Sequence, residues 1–536
     1  MIDWFKGFVL NFVLAALLAG LFLLPDHLFQ AVTLGYQAAF GEKVVLGIYL
    51  ITLFALASRS LWVIKAVALF FAALQLAQFF HFSYFGTLIS PHAVAILFTD
   101  FGEITESLFS DMGRVLLPLA IVGGVYGAAF WLLGRIDAHR QPVPLFGVML
   151  VLVLAIGPVK AYNAGSSQTF YPNPRHYAIK NTYYALSYFL GKSLPEKIEG
   201  RELPSFEPYR LEERAFTGPM NLVLIMGKSV NPEHMSLFGF ERDTTPRLRG
   251  LLDDPSFVAT RAIAGGINTK VAVQTFFNLK HEPANVQHLF RQDANLMAMA
   301  KRRGMTTHYI SAQTANLATY LGDGQIDHFF SKEDDVEGVM RKYDEILIER
   351  LDRIDLGRSN CIVLHQRGSH SPYEKFHPDR FDRYPEDVED DHARRVNTYH
   401  NSLYFTDHVT AELIGRLRSK STLPVYVVFV SDHGELMGED GKYGHSMLEP
   451  GVANIPFLFY AINGRPEIIE AARALSMPTH YEIGEFVAGI LGYRVVNPNR
   501  RDGEYYVNGL DIDGSAGYMV VNKQAGAAPE WRVVKR

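Results

Sequence analysis

The sequence predicts two regions: an all-α membrane region of about five helices, then an α/β domain with a mostly parallel sheet between helices. Three observations carry this. Apolar stretches about as long as a bilayer is thick crowd into residues 1–160, which are mostly Leu, Ala, Phe, Val and Gly. Beyond residue 200 the charge returns, and short apolar runs alternate with helical stretches. Polar loops rich in His, Asp and Ser follow directly on several of those runs. The 536 residues allow more than one domain, and the averages of 48% hydrophobic and 20% charged conceal the split. A net charge of −5 with no basic block excludes a nucleic-acid partner. The single cysteine, Cys361, excludes an internal disulfide and a Cys-based zinc cluster.

Residues 1–162 form the expected membrane region, with spans at about 8–24, 43–58, 61–80, 114–134 and 143–160. No small-residue cleavage site follows the first stretch, which therefore reads as a retained helix. Lys6, Arg59, Arg135 and Arg140 fall at one set of ends, cytoplasmic by the positive-inside rule. Five crossings then put everything after Tyr162 outside the cytoplasm. With four crossings, the second stretch being buried or interfacial, the soluble part is cytoplasmic instead. Between the third and fourth spans, Ser90 caps a stretch opened by Pro91, and Val94, Leu97, Phe98, Phe101, Ile104 and Leu108 recur at helical spacing. This predicts an amphipathic helix at about 91–109 on the outer membrane face. Thr99 and Glu103, four residues apart, share a face. They form either a solvated stripe or a contact for a lipid headgroup amine.

Residues 163–215 read as a connector along the membrane surface, with aromatics around Tyr183–Phe189 and charges at 196–214. Residues 216–536 form the soluble domain. Runs 221–226, 361–364, 425–430 and 456–460 predict strands, and 336–355 and 393–418 predict helices. In such sheets the chemistry gathers beyond the strands' C-terminal ends. The residues found there are Gly227-Lys228-Ser229, His365 to His370, and Ser431-Asp432-His433-Gly434-Glu435, with His445 closing a later loop. Asp432 and His433 offer a carboxylate and an imidazole to one ion, a mix that suits zinc. A lone histidine is more often structural, but three at strand ends of one sheet point to function. Gly265-Gly266-Ile267-Asn268-Thr269 is a glycine-rich turn before an apolar run. Its threonine is either a helix cap or a nucleophile at a helix N-terminus, where amides and dipole favour a phosphoryl group.

Taken in order, several segments resemble the phosphoethanolamine transferases that modify lipid A and lipopolysaccharide, membrane-anchored members of the alkaline phosphatase superfamily with a sulfatase-like domain. They are the strand-Gly-Xaa-Ser opening at 227–229, His234 to Pro246, His365 to Pro372, Tyr399 to Asp407, and Ser431 to Glu435. The resemblance extends over nearly the whole chain. It implies transfer of phosphoethanolamine from phosphatidylethanolamine, through a phospho-threonine intermediate, to lipopolysaccharide, lipid A or another envelope glycan. It also implies a bacterial inner-membrane location with the C-terminal domain in the periplasm, and resistance to polymyxin-type peptides. Thr269 matches the nucleophile and a zinc ligand, Asp432 and His433 the other zinc ligands, and His370 and His445 the catalytic histidines. Thr99 and Glu103 match headgroup contacts, Ala95 replaces a polar residue one turn earlier, and Asn268 and Lys270 flank the nucleophile as substrate contacts.

Two positions depart from that pattern. Lys228 stands where the family places a glutamate zinc ligand, and a protonated amine is no ligand. Zinc is then bound weakly through the remaining set, or Lys228 stands in for the cation, or the protein is a non-catalytic lipid- or partner-binding homologue. Gly265 and Thr275 stand where some relatives place a cysteine pair. A phosphoglycerol transferase or phosphodiesterase of the same superfamily is the alternative activity. Sulfatases need Cys or Ser where this chain has Thr269.

Overall fold

The computed structural model describes residues 2–39, 41–86, 88–91, 93–94, 112–135, 143–164, 167–195, 204–216, 218–318, 321–524 and 526–535. The expected amphipathic helix, with Ala95, Thr99 and Glu103, lies outside them save for a few residues at its start. The chain forms two compact units, 1–202 and 203–536.

Helices α1 (Ile2–Val32), α2 (Glu42–Ala57), α3 (Leu61–Phe85), α4 (Met112–Leu133) and α5 (Pro144–Tyr162) fall on the five apolar stretches of the first unit. Four of them contain spans long and apolar enough to cross a membrane: Asn11–Val32, Leu61–Ser83, Val115–Leu133 and Pro144–Tyr162. The 16 residues of α2 are fewer than such a span needs; at 1.5 Å per residue they reach about 24 Å against a hydrocarbon core of about 30 Å. Leu17, Trp62, Leu69, Leu145, Val151 and Ile156 point outward and are exposed, as lipid-facing residues must be. The interior holds a polar knot. Asp26 is fully buried and accepts hydrogen bonds from Tyr36 Oη, Gln75 Nε2 and the backbone N–H of Ala178, each at 2.7 Å. Ala178 opens helix α6 (Ala178–Tyr188), so a membrane-region carboxylate satisfies an amide that the helix itself leaves unpaired. The first part of the expected connector thus packs within the first unit, where Tyr177, Ala178 and Ile179 join the core of the membrane helices.

In the second unit, β1 (Arg210–Glu213) runs antiparallel to a late strand, Tyr493–Val496. The main sheet has seven strands: β2 (Asn221–Gly227), β3 (Phe257–Ile263), β4 (Thr306–Ser311), β5 (His328–Phe330), β6 (Asn360–His365), β7 (Val425–Ser431) and β8 (Asn454–Ile462), in the order β3-β8-β7-β2-β6-β4-β5. Only β8 runs against its neighbours. Successive side chains of β2 feed two different cores: Leu222, Leu224 and Met226 one, Val223 and Ile225 the other. Strands β6 and β7 divide in the same way. A strand buried on both faces must read as a continuous apolar run, which is why these runs were visible in the sequence.

Where the sequence predicts one helix over 336–355, there are two, Val336–Lys342 and Glu345–Leu351, broken at Tyr343 with φ 52°. The break frees the buried Asp344 to accept the amides of Arg367 and Gly368 at 2.8 and 2.7 Å. A local propensity loses here to two buried donors that need a partner. The other expected helix lies inside Asp391–Lys420.

Candidate active site

Register brings the strand-end residues together. Gly227 pairs with Ser431, and Met226 with both Val430 and His365, so β2, β6 and β7 end level and their following loops meet. Lys228 and Ser229 leave β2 through a left-handed turn at Ser229, φ 56°. Tyr399 of the long helix holds that turn: its hydroxyl donates to Ser229 O at 2.8 Å and accepts the N–H of Asn231 at 3.0 Å.

Asp432 and His433 follow β7, and both are fully buried. Asp432 Oδ1 accepts the amides of Ser229 and His433 at 2.9 and 2.8 Å. Its other oxygen, Oδ2, accepts the Thr269 hydroxyl at 2.6 Å and pairs with Lys228 Nζ at 3.2 Å. His433 Nδ1 lies 2.9 Å from Gly434 O. A carbonyl only accepts, so Nδ1 carries the proton and Nε2 presents its lone pair. That lone pair accepts from Lys228 Nζ at 2.7 Å, with Thr269 Oγ at 3.5 Å. Burial raises the Asp432 pKa, and the charge of Lys228, with the hydrogen bonds from Thr269 and Ser229, more than offsets this. The carboxyl is held well below its ordinary range. Burial pushes His433 well below its ordinary value and keeps it neutral.

Thr269 opens the helix Thr269–Phe277, with Asn268 as its cap: the Asn268 side-chain oxygen accepts the Val271 N–H at 3.2 Å, and its amide donates to Gly509 O at 3.3 Å. Lys270 is half-buried, and burial lowers its amine to about 8. Gly265 and Thr275 lie against each other, a Cβ built on Gly265 falling 2.5 Å from Thr275 Oγ. No crosslink is needed to hold this loop. Gly265 N–H donates to His480 Nδ1 at 3.0 Å, Ala264 N–H to Ala453 O at 2.8 Å, and Asn508 N–H to Gly265 O at 3.0 Å.

His445 stands beside this group, its ring 4.2 Å from that of His433. Glu435, fully buried, accepts from His445 Nδ1 at 2.7 Å and from the Tyr373 hydroxyl at 2.6 Å, which leaves His445 Nε2 as the basic nitrogen. His370 is farther out, its ring 6.1 Å from that of His445, and burial pushes it down to about 4, with Lys228 adding to the effect. The sequence reading passed over Glu435, Tyr373, Asp344, Tyr399 and His480 as site residues. Glu435 had a signal, being the third polar residue after a strand; the others act across the fold from helices and loops that carry no local mark.

Thr269, Asp432 and His433 have the chemistry of a metal donor set, but the position between them does not fit zinc. A metal held by Asp432 Oδ2 and His433 Nε2 would sit about 2.0–2.2 Å from each, where the Lys228 ammonium now bonds both. At about 4 Å and an effective dielectric near 20, a divalent ion beside that ammonium meets repulsion on the order of 8 kcal/mol. The ligand atoms of His433, Glu435 and His445 also lie within 4.8 Å of one another.

The Sulfatase family matches residues 220–492, just over half of the chain. Among curated proteins, the chain is 24% identical over 297 residues to the Kdo(2)-lipid A phosphoethanolamine 7''-transferase of Escherichia coli strain K12, covering 51% of each chain. It is 22% identical over 440 residues to phosphoethanolamine transferase EptC of the same strain, covering 75% of this chain and 74% of that one. It is 26% identical over 246 residues to phosphatidylethanolamine transferase Mcr-1 of Escherichia coli, covering 43% and 45%. The chain thus spans about half the length of the first of these relatives. Among solved structures, the C-terminal periplasmic domain of Escherichia coli EptC in complex with Zn aligns at 21% identity and a TM-score of 0.47, over 56% of this chain and 93% of that one. That likeness is too distant to argue from.

Proposed function

This chain belongs to the sulfatase family, and on that footing we propose that it is a membrane-anchored transferase. It moves phosphoethanolamine from phosphatidylethanolamine to lipid A, lipopolysaccharide or another envelope glycan, through a phospho-threonine at Thr269. The observation that carries the reading is the Thr269 hydroxyl. It is presented at a helix N-terminus, hydrogen-bonded at 2.6 Å to a fully buried carboxylate that also holds an ammonium. Two of the curated relatives are named for transfer of phosphoethanolamine.

The residues divide the work as follows. Thr269 Oγ attacks phosphorus, oriented by its hydrogen bond to Asp432 Oδ2, and gives up a proton that ends on the leaving oxygen. The new P–O(Thr269) bond replaces the P–O bond to diacylglycerol, whose oxygen leaves as an alcohol after taking a proton. His445, backed by Glu435, is the group placed to relay protons to leaving and entering oxygens; His370 stands at its side. In the second half an acceptor hydroxyl attacks the phospho-threonine and Thr269 regains its proton. Amides at the helix N-terminus and the fixed ammonium offset the charge on the phosphoryl oxygens. Asn268 and Lys270 flank the reacting group. Thr99 and Glu103 are the proposed contacts for the donor's headgroup amine.

Incubating the protein with phosphatidylethanolamine vesicles and digesting it should yield a Thr269 peptide heavier by one phosphoethanolamine. A phosphoglycerol adduct from phosphatidylglycerol instead would give the reaction to the related glycerol-phosphate transferases, and no adduct from either lipid would sink the transferase reading.

The reading requires the second unit to face the periplasm. All five helices then cross the inner membrane, α2 included, and Lys6, Arg59, Arg135 and Arg140 share the cytoplasmic side; a short span is accommodated by local thinning. An alkaline phosphatase reporter fused after Tyr162 should be active, and one fused after Arg140 inactive. The reverse pattern would leave α2 out of the membrane and the second unit in the cytoplasm.

A further inference from the structure

Lys228 is the buried group that the chemistry above has used least. Its side chain is 2% exposed in a folded domain, a costly place for an amine unless it is paired. It is paired twice, with His433 Nε2 at 2.7 Å and Asp432 Oδ2 at 3.2 Å. Asp432 Oδ2 also accepts the Thr269 hydroxyl at 2.6 Å, and the hydroxyl oxygen stands 3.5 Å from His433 Nε2. Nucleophile and ammonium therefore share one carboxylate oxygen and meet beside one imidazole nitrogen, the arrangement in which a bound cation and its ligated hydroxyl would stand. The tautomer of His433 fits this use, since Gly434 O keeps the proton on Nδ1 and turns the lone pair toward Lys228.

The amine is also held from behind. Ser229 takes a left-handed conformation immediately after it. Tyr399 accepts from one side of that turn and donates to the other. Gly227 has no room for a side chain, since a Cβ there would fall 2.7 Å from the Phe429 ring. An ammonium has three N–H donors; His433 takes one, Asp432 pairs with the charge, and among the described residues no further partner stands at the amine, so an N–H can serve a phosphoryl oxygen beside Thr269.

Resting on the transfer reading above, we propose that Lys228 is the resident cation of this centre. Its ammonium takes the place of a divalent metal between Asp432 and His433 and binds a non-bridging phosphoryl oxygen of the phosphodiester donor as Thr269 attacks. Lysine serves as a point charge for phosphate, and no ion need be captured before the first turnover. One consequence separates this chain from a metal-dependent enzyme of the same design: transfer to Thr269 runs in chelator.

The test uses the full-length, metal-stripped protein in detergent. Equilibrium dialysis against zinc at neutral pH compares four forms: native, Asp432→Asn, Lys228→Glu, and Lys228→Glu with Asp432→Asn. Native and Asp432→Asn should bind the same number of zinc ions. Lys228→Glu completes a carboxylate, imidazole, carboxylate and hydroxyl set; it should gain one equivalent, at least about 1,000-fold tighter, and the added Asp432→Asn should remove it. In parallel, native protein and phosphatidylethanolamine vesicles are incubated with EDTA or with zinc, and the Thr269 peptide is weighed. Adduct formed equally in EDTA supports the proposal. A native chain that holds an equivalent lost in Asp432→Asn, or that forms adduct only with zinc, overturns it, and this last arm needs no variant to fold. If no adduct forms in either medium, the transfer reading falls. The dialysis then still decides whether Lys228 or a metal occupies the position.

Discussion

Thr269→Ala is expected to lower transfer from phosphatidylethanolamine by at least about 10⁴-fold, the scale on which removing a covalent nucleophile acts. The fold should survive. Asn268, not Thr269, caps the helix, and Ala is favourable at a helical position. The lost hydrogen bond leaves Asp432 Oδ2 with Lys228, and Oδ1 keeps both amides, so the cost in stability is about 1–2 kcal/mol. Thr269→Ser keeps the hydroxyl and should retain measurable transfer. Radiolabelled donor measures the rate, and a thermal melt checks the fold. An alanine variant that still labels acceptor at more than a hundredth of the native rate would place the nucleophile elsewhere.

The second large effect is acid lability of the soluble unit. Burial pushes His288, His308, His365 and His480 down to about 4, and His400 to about 3. Their ordinary value is near 6.5. A group with a depressed folded pKa contributes stability that is present above the unfolded value and is lost as pH falls toward the folded one. For a fully buried imidazole such as His365 the whole shift is worth on the order of 3 kcal/mol. Asp344 and Asp407 act in the opposite sense: burial raises both to about 6, so they favour the fold as pH drops through that value. Five imidazoles outweigh two carboxyls. Total stabilities of domains are only about 5–15 kcal/mol, so the melting temperature in detergent should fall by roughly 10 °C between pH 7.5 and pH 5. A flat profile over that range would mean that these histidines stay solvated.

What could be read from one sequence, and what could not, divides along a physical line. The apolar helices were legible because a bilayer demands length and composition at once. Strands β2, β6 and β7 were legible because strands covered on both faces must be apolar throughout, and the polar loops beyond them marked the strands' chemical ends. Gly265 to Thr269 was legible as a turn into a helix. Lys228 stood out against the resemblance, at a position where the family places a glutamate. The sequence alone could not say what that charge does. Its meaning comes from the level ends of β2 and β7, which put Lys228 Nζ on Asp432 and His433 across two hundred residues of chain. Of the supporting residues, Glu435 was marked by its place after β7, while Asp344 and Tyr399 were hidden. Asp344 breaks a helix to accept two amides, Glu435 aims His445, and Tyr399 braces the Ser229 turn. The bonds of Asp344 and Tyr399 join groups far apart in the chain, with no periodicity and no neighbouring signal. Hydrophobic pattern is a property of local segments and survives in the sequence, whereas the partner of a buried polar atom is chosen only when the chain closes on itself.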